Sequence, residues 1–464
     1  MANTSASQLA AILLAGEREP DELVERVIGE ALASHEGSTA LFRDLVEPLA
    51  DAFDFHMVNA YVGVFTRVIE AALPQLDAAR LIERFMRIRR PRKFSADPMS
   101  VKDVFVLSRI TIGADIAITS RILRAAFTHF PKARIHFVGP RKNWELFEPE
   151  LALELVEIPY KRTGTLAERL GVYPVLAQEL SKPGALIIDP DSRLSQLGLL
   201  PLGEEENYYF FESRSWWSDE EMPLGEMTER WVAETFGVPV NMPIVSVEDR
   251  LEGFDVTISL GVGENPEKAM PAPFESRLLQ LLVDRGLNVL VDTGAGGAEA
   301  ERAQLAIAQV KPSANGSVTP YYGSFREFAA EINASSLYIG YDSAGGHAAC
   351  ALGVPGLLLF RGYPNERFMI RWIPWGDGEL EILDAEDMSA QVALDRVEEA
   401  VDALFNDDLD DLDDDDDDED DDDDDIEFGQ LIEGGEEDDG EDEDEDDEED
   451  EDDEIPPRPP TTRS

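Results

Sequence analysis

From residue 101 onward the chain alternates between two hydrophobic periods. Short apolar runs rich in β-branched and aromatic residues, at 104–107, 134–138, 155–158 and 185–188, are separated by stretches of helical spacing such as Ile116, Ile122, Leu123, Ala126 and Phe127. Such runs predict strands covered on both faces, and the helical stretches supply the crossovers, so the pattern predicts a doubly wound parallel sheet. The alternation breaks over residues 204–221, a polar and aromatic segment holding Tyr208, Tyr209, Phe210, Phe211, Trp216 and Trp217. It resumes at 256–260, 287–291, 337–340 and 355–360, which predicts a second domain of the same kind, with residues 237–243 as the connection. Two facing α/β domains bind ligands in the cleft at the carboxyl ends of their strands.

The first 98 residues carry helical spacing instead: Leu23, Val24, Val27, Ile28 and Ala31 behind a cap at Asp21; Val58, Tyr61, Val62, Phe65, Val68 and Ile69; then Leu81, Ile82, Phe85 and Ile88. A small helical bundle accounts for them. The pattern therefore divides the chain into a helical region (1–98), a first Rossmann-like domain (99–240), a second (241–405) and a tail (406–464).

Charge sharpens the last boundary. The 58 residues from Asp407 hold 37 Asp/Glu against two Arg, so −35 of the net −59 lies there and −24 in the rest. Like charges at this density predict a disordered tail, which serves solubility or captures basic partners or cations. So acidic a chain repels phosphate backbones, which argues against nucleic-acid binding. The single cysteine, Cys350, allows neither an internal disulfide nor a cysteine zinc site and fits a reducing cytoplasm. The longest apolar run, residues 348–360, is too short to span a membrane and is interrupted by Pro355. The N-terminus lacks the basic start of a signal peptide, the first Arg being Arg18. The expectation is a soluble cytoplasmic protein.

Against this acidity, Arg84, Arg87, Arg89, Arg90, Arg92 and Lys93 form one basic stretch. It reads either as the solvated face of a last helix or as a docking patch for an anionic acceptor, the inner face of a membrane, or the chain's own tail.

Three loops that follow strands carry candidate chemistry. In Ser108-Arg109-Ile110-Thr111-Ile112-Gly113-Ala114-Asp115, the carboxylate of Asp115 either caps the following helix or acts as a general base on a hydroxyl. In the loop from Asp342 and Ser343 through Gly345, Gly346 and His347, paired glycines at a helix start offer backbone N–H groups to phosphate; the alternative is a tight turn with a packed histidine. In the third, Gly261 and Gly263 turn the chain and Lys268 supplies a point charge for a diphosphate, or is simply exposed. Pro266 stands where a dinucleotide fingerprint needs its third glycine, and no P-loop follows. The turn at residues 293–297 reads as structural, as do the isolated His35, His56, His129 and His136. Asp189-Pro190-Asp191 reads as a turn or, less simply, as an acidic pair for a divalent metal.

Together these loops resemble glycosyltransferase family 9, the ADP-heptose:lipopolysaccharide heptosyltransferase-like enzymes. Asp342-Ser343-Ala344-Gly345-Gly346-His347, continued to Gly353 and Pro355, is similar to that family's D-[ST]-G-P-x-H-x-A-A-A-L-G-x-P. Ile112-Gly113-Ala114-Asp115 through Thr119, followed by Phe130-Pro131, is similar to its G-D-x-x-x-T and F-P-x-A-x-I, with Ala114 as an extra residue between Gly and Asp. The resemblance spans about residues 101–361. It implies a GT-B fold and inverting, metal-independent transfer of a heptose-like sugar from a nucleotide-diphosphate sugar to a glycan or lipid-linked glycan. Asp115 would be the base, while Lys268, Ser343, Gly345, Gly346 and His347 would hold the donor diphosphate, with no further cofactor. Trp216, Trp217 and the neighbouring tyrosines read either as core or as a platform that stacks on a sugar. The alternative is a non-catalytic relative that binds nucleotide-sugars or serves as a scaffold through its helices and tail.

Overall fold

A computed structural model describes residues 4–148, 151–239, 242–248, 250–263, 265–294 and 296–410, of which 406–410 as backbone only. The tail expected from residue 406 lies outside the described residues beyond Asp410. Residues Met1–Asp408 pack as one unit.

Two all-parallel sheets organise that unit. The first has the order β3-β2-β1-β4-β5, with β1 Asp103–Leu107, β2 Arg134–Gly139, β3 Glu154–Glu157, β4 Leu186–Asp189 and β5 Tyr208–Phe210. The second has the order β11-β10-β9-β6-β7-β8, with β6 Val256–Ser259, β7 Asn288–Asp292, β8 Ser317–Tyr321, β9 Leu337–Tyr341, β10 Gly356–Phe360 and β11 Leu380–Asp384. Strand order reverses between β1 and β4 and between β6 and β9. Such switch points leave a crevice at the strands' carboxyl ends, because successive crossovers depart to opposite faces there.

The apolar runs of β1, β4, β6, β9 and β10 are buried on both faces, as expected, whereas the run at β3, an edge strand, is only half-buried. In the first sheet, Phe105, Leu107, Ile187, Tyr208 and Phe210 join one core, while Val104, Val106, Ile188 and Tyr209 join another. The alternation follows the two-residue period of a strand. Helices Ser5–Leu14, Asp21–Ala33, Phe55–Ala72 and Ala78–Ile88 supply the first of these cores. Asp21 does not cap its helix: Pro20 holds the cap position, and Asp21 stands in the first turn, bonded to Arg67 at 3.0 Å.

The basic stretch agrees with the solvated-face reading only in part. Arg84 donates to the Gly198 carbonyl at 2.8 Å and lies over the Tyr208 ring. Arg87 forks onto Glu205, and Arg92 reaches the carbonyls of Glu205, Glu206 and Tyr208. Arg89, buried, pairs with Glu212 at 3.0 Å. Arg87, Arg90, Arg92 and Lys93 are exposed, as a solvated face requires, but Arg84 and Arg89 are buried, and the four bonded cations are not free to dock. Their counterpart is the acidic, carbonyl-rich segment around β5, which they hold against the helices. Among the described residues no helix is long and apolar enough to cross a membrane.

Candidate functional site

The loop after β1 folds back on itself around Asp115. Thr111 holds the cap position of the helical turn Ile112–Ala114, so Asp115 is not the cap. It opens a π turn, Asp115–Thr119, that leads into the helix Ser120–His129. A π turn takes one residue more than an α turn, room for the extra residue that the resemblance reads at Ala114. The carboxylate is fully buried. One oxygen accepts from the Arg109 amide and the Thr119 hydroxyl, the other from the Ser108 hydroxyl and Asn143 Nδ2, all at 2.6 Å. These four donors favour the ionised form, yet burial outweighs them and raises the pKa.

In the second sheet the loops after β6 and β9 converge. Lys268, at the end of the turn Pro266–Lys268, sends Nζ to Asp342 Oδ2 at 2.5 Å and to the Asp342 carbonyl at 3.2 Å. The amides of Val262 and Gly263 both donate to Glu299 Oε1 at 2.8 Å. Glu299 lies in the first turn of the helix Gly297–Ala308 and had no signal in the sequence. Gly261 lies alongside: a Cβ there would stand 3.4 Å from the same oxygen. Asp292 closes β7 nearby, with Ser259 Oγ 3.3 Å away.

Ser343 caps the helix Ala344–Leu352 without a side-chain bond to its amides, so the first turn keeps its positive dipole end uncompensated by a cap. The paired glycines owe their identity to packing. A Cβ at Gly345 would stand 2.1 Å from the Tyr338 hydroxyl, and one at Gly346 would stand 2.8 Å from Leu358. His347 is buried with its ring edge-on to Trp372 at 6.1 Å. Burial, with smaller contributions from Lys268 and Arg121, pushes its pKa down to about 4, so it is neutral near pH 7. It therefore offers an anion only a neutral N–H.

The two switch points touch. A Cβ on Gly113 would lie 3.1 Å from His347 Cδ2 and 3.3 Å from Ala344 Cα. The loop bearing Asp115 thus abuts the helix bearing His347, and a glycine is what permits the approach.

Beside this contact lies a buried charge cluster. Asp191 sits between Arg214 Nε at 2.8 Å and Arg109 Nη1 at 3.6 Å. Arg214 also binds Asp51 of the helical region at 2.7 Å, and the Arg109 guanidinium lies 6.0 Å from the Trp372 ring. Asp189 instead accepts from the Tyr208 hydroxyl and the Ser192 amide, and burial pushes it up to about 6. The two carboxylates thus serve different partners within one turn; among the described residues no group of three metal-ligating side chains converges. Trp217 is packed against Phe211, while Trp216 stays partly exposed at its edge.

No protein-family profile matches the sequence, and no curated protein matches it significantly. Solved structures do. A glycosyl transferase family 9 from Veillonella parvula DSM 2008 is 16% identical, with 67% of this chain and 99% of that one covered at a TM-score of 0.52. E. coli heptosyltransferase WaaC with ADP is 16% identical, covering 64% and 99% at 0.48. E. coli ADP-heptose lps heptosyltransferase II is 19% identical, covering 66% and 99% at 0.47. The likeness to the Veillonella protein is one of fold: the chain has the two-sheet GT-B architecture of a family 9 glycosyltransferase.

Proposed function

We propose that the chain is an inverting glycosyltransferase that transfers a heptose-like sugar from a nucleotide-diphosphate sugar to a glycan or lipopolysaccharide-type acceptor. The observation that carries this reading is the contact of Gly113 with His347. It sets Lys268, the N-terminal amides of the helix Ala344–Leu352 and His347 beside the loop of Asp115. Residues 99–240 would form the acceptor side and 241–405 the nucleotide side.

A donor diphosphate would take over Lys268 from Asp342 and accept from the amides of the Ala344–Leu352 helix. Asp292 and Glu299, by the end of the second strand of that sheet, suit ribose hydroxyls. An acceptor hydroxyl would replace Ser108 as a donor to Asp115. As its oxygen bonds to the anomeric carbon, its proton passes to Asp115, the bond from that carbon to the diphosphate breaks, and the nucleoside diphosphate leaves. Lys268 and the helix N-terminus carry the leaving charge, so this reading requires no metal. The raised pKa of Asp115 suits a base.

A second reading, a non-catalytic nucleotide-sugar binder or scaffold, draws on other observations. Asp115 already holds four donors, and Asp342 and Glu299 already fill the places an anion would take. Under either reading the chain would work in the cytoplasm and its tail would capture basic partners. The test is titration with a panel of nucleoside diphosphates and their sugars while nucleotide release is followed. Turnover supports the first reading, binding without turnover the second, and no binding by any of them removes both.

A further inference from the structure

The turn at residues 51–54 leaves the core of its own helices. Leu49 and Val58, on either side of it, pack into the core shared with β1 and β5. Phe53 is fully buried in the other core, which joins the two sheets. Its ring meets Phe368 at 6.2 Å and the Arg214 guanidinium at 5.8 Å. On the side of the first sheet, the Asp51 carboxylate accepts from Arg214 at 2.7 Å. On the side of the second, the helix Glu366–Trp372 and its cap hold the backbone of the turn. Arg367 donates to the Phe53 carbonyl at 3.0 Å, and Asn365 to that of Asp51 at 3.5 Å.

The anchorage is unequal. The helices are fixed to the first sheet by Arg84, Arg87, Arg89 and Arg92, and by the Tyr61 hydroxyl on the Gln196 carbonyl. The polar grip on the second sheet's side comes from a half-exposed Arg367, whose further contact with Asp54 is 3.8 Å long, and from the long bond of Asn365. Backbone strain gathers here as well. Among the described residues, the left-handed positions other than glycine are Phe53, Ile110, Asp191, Gln196 and Leu197, in this turn and in the loops after β1 and β4. Strain of this kind persists where the surroundings over-determine it, at clamps and switch regions in particular. From Phe53 a row of rings runs through Phe368 and Trp372 to His347, with centroids 6.2, 6.2 and 6.1 Å apart.

We infer that the turn at residues 51–54 is a strap by which the helical region holds the two halves of the GT-B fold closed, and that releasing it opens the contact between Gly113 and His347. A grip of many bonds on one half and few on the other lets go at a defined place. The inference rests on packing alone and holds whether or not the site transfers a sugar.

The test is hydrogen exchange and small-angle scattering on the full chain without nucleotide. Arg367→Ala removes the bond to the Phe53 carbonyl and substitutes nothing in the helical region; Asp51→Ala removes the anchor on Arg214. In both variants amides at 108–115 and 366–372 should exchange about tenfold faster or more, and the radius of gyration should rise. Unchanged exchange at those two segments overturns the strap. So does an even rise that includes the helix Phe55–Ala72, since that reports a general loss of stability. Should Asp51→Ala fail to fold, Arg367→Ala decides alone.

Discussion

Lys268 and Asp342 are 74 residues apart in sequence and meet as an ion pair, Nζ to Oδ2 at 2.5 Å, with side chains only 19% and 11% exposed. The pair puts an internal carboxylate where the donor diphosphate would bind. Removing it with Asp342→Asn should tighten nucleoside diphosphate binding about tenfold, and Lys268→Ala should weaken it by at least as much. Calorimetric titration reads both; equal affinities in parent and variants would remove Lys268 from the site.

Asp115→Asn keeps the volume of the side chain but turns one acceptor oxygen into a donor facing donors. It should lower stability by about 1–3 kcal/mol. If Asp115 is the base, turnover should fall about 100-fold or more while nucleotide affinity stays near that of the parent. Turnover at the parent rate in the folded variant would leave Asp115 as a brace for its loop.

Gly113→Val places methyl groups where His347 and Ala344 already stand. A cost of about 1–3 kcal/mol in urea unfolding is expected, together with weaker nucleotide binding as the two loops part. Gly113→Ala should lie between parent and valine in both measurements, because its single Cβ is tight but not prohibited.

Two buried groups give stability opposite dependences on pH. Burial raises Asp189 to about 6, so its contribution is full below the ordinary carboxylate value and lost as pH rises through about 6. Burial lowers His347 to about 4, so its contribution is full above the ordinary imidazole value and lost as pH falls through about 4. The penalty of Asp189→Asn should therefore be larger near pH 4.5 than near pH 7.5, by on the order of 2 kcal/mol, and that of His347→Gln larger near pH 7.5. Urea midpoints at the two pH values decide, and equal penalties at both would contradict these shifts.

Arg89→Ala leaves Glu212 buried without its cation and should cost about 3–5 kcal/mol, whereas Lys93→Ala should change stability by less than about 0.5 kcal/mol. Thermal unfolding separates them. Similar small effects at both positions would restore the stretch to a solvated face.

What could be read in the sequence follows from how local each signal is. β1, β4, β6, β9 and β10 announce themselves because a strand buried on both faces must be apolar throughout. β8 and β11 escaped because edge strands need not be, whereas β5, buried throughout, escaped through its brevity. β8 carries Pro320 and leaves most of its side chains exposed, and β5 is three residues within an aromatic run. The glycine loops were legible since a strand-to-helix turn has a local signature. Glu299 and Asp51 were not, because the groups they bind lie about 37 and 163 residues away. Charge density marked Arg84 to Lys93, but density does not name a partner, and the partner was the segment around β5.

The π turn at Asp115–Thr119 bears on more than the loop it closes. One extra residue in an α-helix rotates everything after it by about 100°. Carried into the helix Ser120–His129, that rotation would swing Ile122, Leu123 and Ala126, now at 0%, 0% and 1% exposure, away from the sheet. The wide turn cancels the phase error before it reaches them. Loop length and core facing are thereby uncoupled at this position, so deleting Ala114 should alter the geometry around the carboxylate without turning the helix behind it.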